Sequence, residues 1–570
     1  MLAPLLPPPL PRPLPLSRFS EVITLSTRPL SRRSLLAGLG LGAATLGLGP
    51  LTACSSGSRS GRNSAQANSG VRLPRYQPFA GLDPDLPGDE TTGVLPGFRH
   101  YPTENPRSVA ERPGNGETIS GLANLYTAVP PGVDRNSYWR GLNERLGVTL
   151  DMRMVPNADY EQTFSITMAS GDLPDVTQLW PGTNFSDMLH NAFAPLDEFI
   201  GGDAVADYPN LANIPTAHWK NCVFNGAIYA VPVPRGRVRH YHLYRRDLFE
   251  AIGADDEPRG WDEFLALCQE LTDPGRRRWA LGSVTQGLYF LARMNDEPNL
   301  WREDGGNLTH TYETDEYRQS IRDMATLWDA GVIHPDTFNP STPFAQYFGA
   351  GTVAMSLGDG YGAWSTLTLA NTDNADFELG LMPVYDRQGG RLAPWHTGNG
   401  VFNIAGLRKQ DDPARTRLTL RVLDWLAAPF GTEEHLYRVY GEEGVDHERN
   451  ADGDPILTSA GQTNTGVPTR YLVDSPAVLY QPGRPDDVEY QHAYQTTVLE
   501  NRKDDPTLGL HADSATARAD AAERNLLSTR DDIIQGRRSL SDLDRAVDDW
   551  RSAVGDQMRT EFEEQLQRAG

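Results

Sequence analysis

Aromatic rings stand beside amides, hydroxyls or carboxylates at several places in this chain: Trp180 with Asn184, Asp359 with Tyr361 and Trp364, and Trp395 with His396. Glu443 adds a carboxylate in a glycine-flanked loop. Side chains of these types bind rather than react. A flat ring covers the C–H face of a pyranose, and planar polar groups donate to and accept from its hydroxyl rim. Trp180 ends an expected strand, where open α/β sheets place their ligand crevice; packing on the next helix is the alternative. Tyr361 or its neighbour is expected to face a ligand, with Trp364 either a contact or core. Trp395-His396 suits a sugar contact or a hinge filler. Glu443 either accepts from hydroxyls or closes a turn.

Reactive chemistry has less support. There is no HExxH, no CxxC pair and no Walker loop. Asn450-x-Asp452-Gly453-Asp454 lacks the EF-hand spacing and its closing glutamate, so it reads as a hairpin turn. His240 and His242 share one strand face and read as structural. Cys222 and Cys268 offer no disulfide framework and read as two small buried residues. No metal and no cofactor are expected. The rival is a surface hydrolase or lyase acting on polysaccharide, which needs two carboxyls ~5–10 Å apart with one pKa raised. With 75 acidic residues, such a pair can always be imagined.

A different chemistry marks the amino terminus. Ser31-Arg32-Arg33-Ser34-Leu35-Leu36 looks like a twin-arginine export signal. The apolar run to Leu51 is broken by five glycines and Pro50, too short and too irregular for a span of ~20 apolar residues. Leu51-Thr52-Ala53-Cys54 matches a lipobox, in which the cysteine becomes the lipid-bearing first residue. The expected location is the outer face of the cytoplasmic membrane, held there by acyl chains on Cys54 alone.

The 570 residues exceed one ordinary core, so two lobes are expected. The formal net charge is −23, and losing a leader with five arginines and one glutamate makes the rest more acidic. Such a surface repels nucleic acid and suits a neutral or cationic ligand.

Alternating patterns supply the elements. Tyr138, Trp139, Leu142 and Leu146 share one helical face ended by Gly147. Val148, Leu150, Met152 and Met154 alternate with polar residues, a strand signal. A helix over 159–170 and a strand over 175–179 follow. The same alternation resumes with strands at 241–244, 279–283 and 352–357 and helices at 261–271 and from 315, the last capped by Thr314. Strand-helix alternation implies parallel sheets with helices on their faces. Val231-Pro232-Val233-Pro234 suits a crossing between lobes. The boundaries expected are leader 1–53, tether 54–116, first lobe 117–234 with part of 383–412, and second lobe 235–382 with 413–570, the last part helical.

The stretch DYEQTFSITMASGDLPDVTQLW over 159–180 resembles extracellular solute-binding proteins of carbohydrate ABC importers. Further likenesses follow in order. Asn225-Gly226-Ala227-Ile228-Tyr229-Ala230-Val231-Pro232 looks like the family's first interlobe crossing, and Arg246-Asp247-Leu248 with Trp261-Asp262-Glu263-Phe264 like the start of its second lobe. Gly351-Thr352-Val353-Ala354-Met355 and Gly358-Asp359-Gly360-Tyr361 are similar to the strand and aromatic turn of maltose-binding members. Gly441-Glu442-Glu443-Gly444 with Asp452-Gly453-Asp454-Pro455 looks like the large lipoprotein branch that includes oligosaccharide and alginate binders. The resemblance implies an α/β fold of the two-lobed periplasmic-binding-protein type (class II), with hinge crossings and a helical C-terminal segment. It implies a non-enzymatic receptor that captures a carbohydrate and delivers it to an ABC permease, working as a monomer. The branch it resembles makes that carbohydrate an oligosaccharide.

Overall fold

The computed structural model describes residues 63 and 65–569 except 183, 184 and 375. The leader, Cys54 and Asn184 lie outside the described residues.

The strand pattern at 148–154 forms as its sequence requires. Val148, Leu150 and Met152 are buried while Thr149, Asp151 and Arg153 are exposed, because successive strand residues face opposite sides. Val148–Pro156 pairs in parallel with Glu117–Leu125, which pairs in parallel with Val176–Gln178. Val401–Leu407 then joins antiparallel to Val176–Gln178, and Val231–Pro234 antiparallel to Val401–Leu407. The helix Ser137–Leu146 covers this sheet with Tyr138, Trp139, Leu142 and Leu146. Asn136 caps its start by accepting from Trp139 N–H, and Gly147 ends it at φ 67°, a left-handed turn that glycine adopts without strain.

A second sheet runs Leu379–Leu381, His240–Arg245, Val353–Gly360, Trp279–Leu281. The first three strands are antiparallel neighbours and the last pair is parallel. The helix Asp315–Asp329 packs Tyr317, Ile321, Met324 and Leu327 inward, and Thr314 accepts from Tyr317 N–H at its start. The helices Asp513–Ile534, Ser541–Trp550 and Asp556–Ala569 form the expected C-terminal helical segment.

Each sheet has its own large apolar cluster. The chain passes between them over 235–239, 396–400 and 474–493, so the Pro-limited strand Val231–Pro234 leads directly into the first crossing. Two expected boundaries differ. Leu418, Leu423, Trp425, Tyr437, Val467 and Leu472 pack in the first cluster, so 413–473 sits with the first lobe rather than the second. Its helix Pro413–Leu426 carries an apolar face that only that core receives. Residues 86–101, expected as tether, are packed: Val94 enters the second cluster, and Phe98 and Tyr101 join Phe430 and Tyr440.

Cys222 and Cys268 are free and buried, one in each cluster. Residues 447–457 form the expected hairpin, His447–Arg449 against Pro455–Leu457. No helix among the described residues is long and apolar enough to cross a membrane.

Candidate functional site

Between the two sheets lies a cleft of about 1500 Å³. One wall carries three rings. Tyr126 follows the C-terminal end of the strand Glu117–Leu125, Phe402 occupies an outward position of Val401–Leu407, and Tyr471 closes the turn Pro468–Tyr471. Their centroids lie 4.8 Å apart for Tyr126–Tyr471 and 5.6 Å for both pairs with Phe402. Tyr126 and Phe402 remain 42% and 45% exposed. These rings thus form an aromatic wall open to the cleft. Leu300, Leu369 and Leu508 are further exposed apolar residues in the lining.

Amides hold this wall in place. Asn124 Nδ2 donates to Tyr126 Oη at 3.0 Å and to Asn157 Oδ1 at 2.8 Å, and Asn403 Nδ2 donates to the Tyr471 carbonyl at 2.9 Å. Behind the rings, Asp474 receives Arg438 at 2.7 Å, Arg235 at 3.1 Å and Arg470 at 3.7 Å. Burial alone would raise the Asp474 carboxyl, but these guanidiniums hold it well below the usual carboxylate range. Arg235 also lies 5.1 Å from the Phe402 ring centroid, a cation–π contact that ties the charged node to the wall.

The opposite wall comes from the turn after Val353–Gly360 and from the crossings. Tyr361 lines the cleft and meets Tyr241 edge-on at 6.4 Å. Gly236 makes room for it, since a Cβ there would lie 3.3 Å from Tyr361 Cε1. Asn299 Nδ2 donates to the carbonyls of Thr397 and Lys503, both at 2.9 Å. Asp504 is paired with Arg237 at 2.6 Å, and Asp505 accepts from Thr507 N and Oγ1.

Of the residues expected at the site, Tyr361 lines the cleft. Asn184 lies outside the described residues. The others occupy different places. Trp180 is half-buried against the first core, its ring 6.1 Å from Tyr160, and is not part of the lining. Asp359 turns away, accepting from Gln286 Nε2 at 2.8 Å and from Ser356 Oγ, and burial raises its carboxyl. Trp364 is core, its Nε1 donating to Asp487 at 3.0 Å. Trp395 fills the hinge side of the second core, donating to the Val238 carbonyl at 2.9 Å. His396 is buried against the Glu297 carbonyl at 3.0 Å, and burial depresses its pKa well below the ordinary value, so it is neutral. Glu443 is an exposed turn residue paired with Arg449 at 3.2 Å.

The residues that sequence reasoning misses are Tyr126, Phe402, Tyr471, Arg235 and Asp474. Tyr126 carries a readable signal, standing one residue past a strand end as Trp180 stands near another. Neither histidine of the His240–Arg245 strand has metal partners: among the described residues no group of His, Cys, Asp or Glu could hold a metal ion.

Comparisons with known proteins agree with this architecture. The family model described as bacterial extracellular solute-binding protein matches residues 132–431, more than half of the chain. The polygalacturonan/rhamnogalacturonan-binding protein YtcQ of Bacillus subtilis (strain 168) is 24% identical, covering 84% of this chain and 96% of its own. Lipoprotein LipO of the same strain is 22% identical over 82% of this chain and 94% of its own. Among solved structures, the N-glycan transport solute-binding protein NgtS of Streptococcus pneumoniae superposes with a TM-score of 0.59 at 15% identity, over 80% of this chain and 100% of that one. The alginate-binding protein AlgQ2 without calcium ion gives 0.58 at 15% identity, over 82% and 99%. Two α/β lobes, an aromatic-walled cleft between them and a family match across both lobes lead to one assignment: the chain belongs to the bacterial extracellular solute-binding protein family.

Proposed function

We propose that the protein captures an oligosaccharide in the interlobe cleft and delivers it to an ABC permease, tethered to the outer face of the cytoplasmic membrane by lipid on Cys54 after twin-arginine export. The observation that carries the carbohydrate reading is the aromatic wall of Tyr126, Phe402 and Tyr471, with its rings exposed beside amides and guanidiniums. A contiguous patch of exposed rings marks a surface that a ligand or partner covers. A ligand with apolar ring faces and a polar rim fits both features. The cleft volume, about 1500 Å³, exceeds the ~300–1,000 Å³ of pockets for drug-sized ligands, which leaves room for several sugar residues. The names of the similar proteins, YtcQ, NgtS and AlgQ2, support a carbohydrate, and LipO, named a lipoprotein, supports the anchor.

The family is one of binding proteins, and the cleft carboxylates fit that role. Asp474 is held by three arginines and Asp504 by Arg237, while Asp505, raised by burial, accepts from Thr507.

Differential scanning fluorimetry against mono- and oligosaccharides tests the proposal. A bound solute at one hundred times its Kd adds ~2.7 kcal/mol of stability, a readily measured rise in melting temperature. Stabilisation by oligosaccharides over monosaccharides is expected. No response to any carbohydrate, with a response to peptides instead, would overturn it.

A further inference from the structure

The charge of the cleft lining runs against that of the chain. The protein carries a formal net charge of −23, yet the charged residues lining the cleft are four arginines, Arg235, Arg239, Arg438 and Arg470, and three aspartates, Asp474, Asp504 and Asp505. The aspartates do not balance the arginines. Asp504 already faces Arg237 from outside the lining, at 2.6 Å. Asp474 must serve Arg235, Arg438 and Arg470 together, and Arg470 is the loosest of the three, at 3.7 Å with its side chain 58% exposed.

Although Asp505 stands near enough to feel its charge, Arg239 holds no carboxylate in an ion pair among the described residues. It is exposed, lines the cleft, and its guanidinium has neither a hydrogen bond nor an ion pair among the described residues. Asp505, whose carboxyl burial raises while Thr507 and the charge of Arg239 draw it partly back, accepts from Thr507 N and Oγ1 at 2.9 and 2.7 Å. The Arg239 backbone sits at φ 58° in the first crossing, a left-handed conformation that surrounding structure must hold in place for a residue with a side chain. Gly398 in the second crossing permits that placement, since a Cβ there would lie 3.2 Å from Arg239 Cβ.

A neutral sugar closing over Arg239 would replace its water with hydroxyl acceptors but return no counter-charge, a weaker return than an anion makes. A carboxylate or sulfate on the sugar returns it, in the bidentate geometry guanidinium favours. Resting on the oligosaccharide reading above, we propose that the solute is an acidic oligosaccharide whose anionic groups pair with Arg239 and Arg470 while its ring faces cover Tyr126 and Phe402. The whole-chain charge suits a neutral or cationic ligand; the local lining reverses that expectation. Polygalacturonan and alginate, for which two of the similar proteins are named, are themselves polyuronates and agree with an acidic solute, while the N-glycan name is silent on charge.

The test is calorimetric titration of the detergent-solubilised full-length protein with length-matched oligosaccharides. One arm uses oligogalacturonates and oligoalginates, a second their methyl esters, which keep the rings and remove the charge. A third uses sulfated galactan oligomers, and a fourth neutral galacto- and malto-oligosaccharides. Acidic chains are expected to bind roughly tenfold or more tightly than their esters, with affinity falling as salt rises. Preference for the third arm over the first assigns sulfate as the anion. Arg239→Gln should remove most of the difference between acid and ester, and Arg239→Lys should retain part of it. Melting of each variant shows whether it is folded, and Arg470→Gln, outside the strained crossing, repeats the comparison should Arg239→Gln fail to fold. Neutral chains binding as tightly as acidic ones, or variants that weaken acid and ester equally, would overturn the inference and leave the oligosaccharide reading standing. No binding in any arm would overturn both.

Discussion

Truncating Phe402 tests the aromatic wall most directly. Its ring is 45% exposed in the open cleft. Aromatic side chains bury ~150–250 Å² when fully covered, so a ligand on this face has roughly 70–110 Å² left to remove from water. At ~25 cal/mol per Å² that is about 2–3 kcal/mol, reduced by the ordering of both partners on binding. Phe402→Ala is therefore expected to weaken sugar binding by about 1–2 kcal/mol, some five- to thirtyfold. Stability should change less than for a core phenylalanine, where truncation costs ~3–5 kcal/mol. Truncation removes the ring's packing on Tyr126 and Tyr471, at 5.6 Å each, and its cation–π pairing with Arg235. Together these are worth about 1–2 kcal/mol at a half-exposed site. Calorimetry with whichever sugar binds, beside a urea melt, reads both quantities. Unchanged affinity, or a large fall in stability with affinity intact, would show that the ring supports the lobe and not the ligand.

Two other predictions concern anchoring and pH. Cys54→Ser should release the protein from membranes into the medium; a variant that still sediments with membranes after a high-salt wash would sink the lipid-anchor assignment. Burial pushes the Asp424 carboxyl up to about 7 from an ordinary 3.8, although Asn210 and Leu211 N–H donate to it at 2.8 and 2.9 Å. The folded state therefore holds a proton that the unfolded chain has lost. The resulting stability is complete below pH ~4 and is lost as pH rises through about 7. Asp424→Asn removes this dependence, so relative to the parent it should gain on the order of 1 kcal/mol or more between about pH 4.5 and about pH 8. Parallel melting profiles for parent and variant would contradict it.

The fold is legible in the sequence where the physics is local. Alternation at 148–154, the Thr314 cap and the Gly147 stop each depend on neighbours within one turn or one strand. The site is legible as a rule more than as residues. Strand ends do line the cleft, but the rule favours tryptophans, because large amphipathic rings attract a binding role. Trp364 and Trp395 satisfy their indole N–H groups at Asp487 and Val238, more than a hundred residues away, so nothing near them in sequence marks them as core. Asp474 gathers Arg235 from 239 residues away in the same way, beside Arg438 at 36 residues. Residues 413–473 escape correct placement because an amphipathic helix declares that it has an apolar face, not which core receives it.

The packing of residues 86–101 has a consequence for how the chain reaches this state. Leu95 N–H donates to Gln495 Oε1 at 3.0 Å, Phe98 N–H to the Leu479 carbonyl at 2.9 Å, and Arg99 pairs with Glu489 at 2.6 Å. These contacts join segments separated by nearly four hundred residues, and the first apolar cluster itself draws on chain from Ile119 to Val473. The first core waits for Val473 and the second for the carboxyl-terminal helices as far as Val554. Contacts of such long range must overcome loop-closure entropy before they stabilise anything, which slows folding. The two lobes are thus interleaved during folding, and their apolar faces stay uncovered until nearly the whole chain has been synthesised.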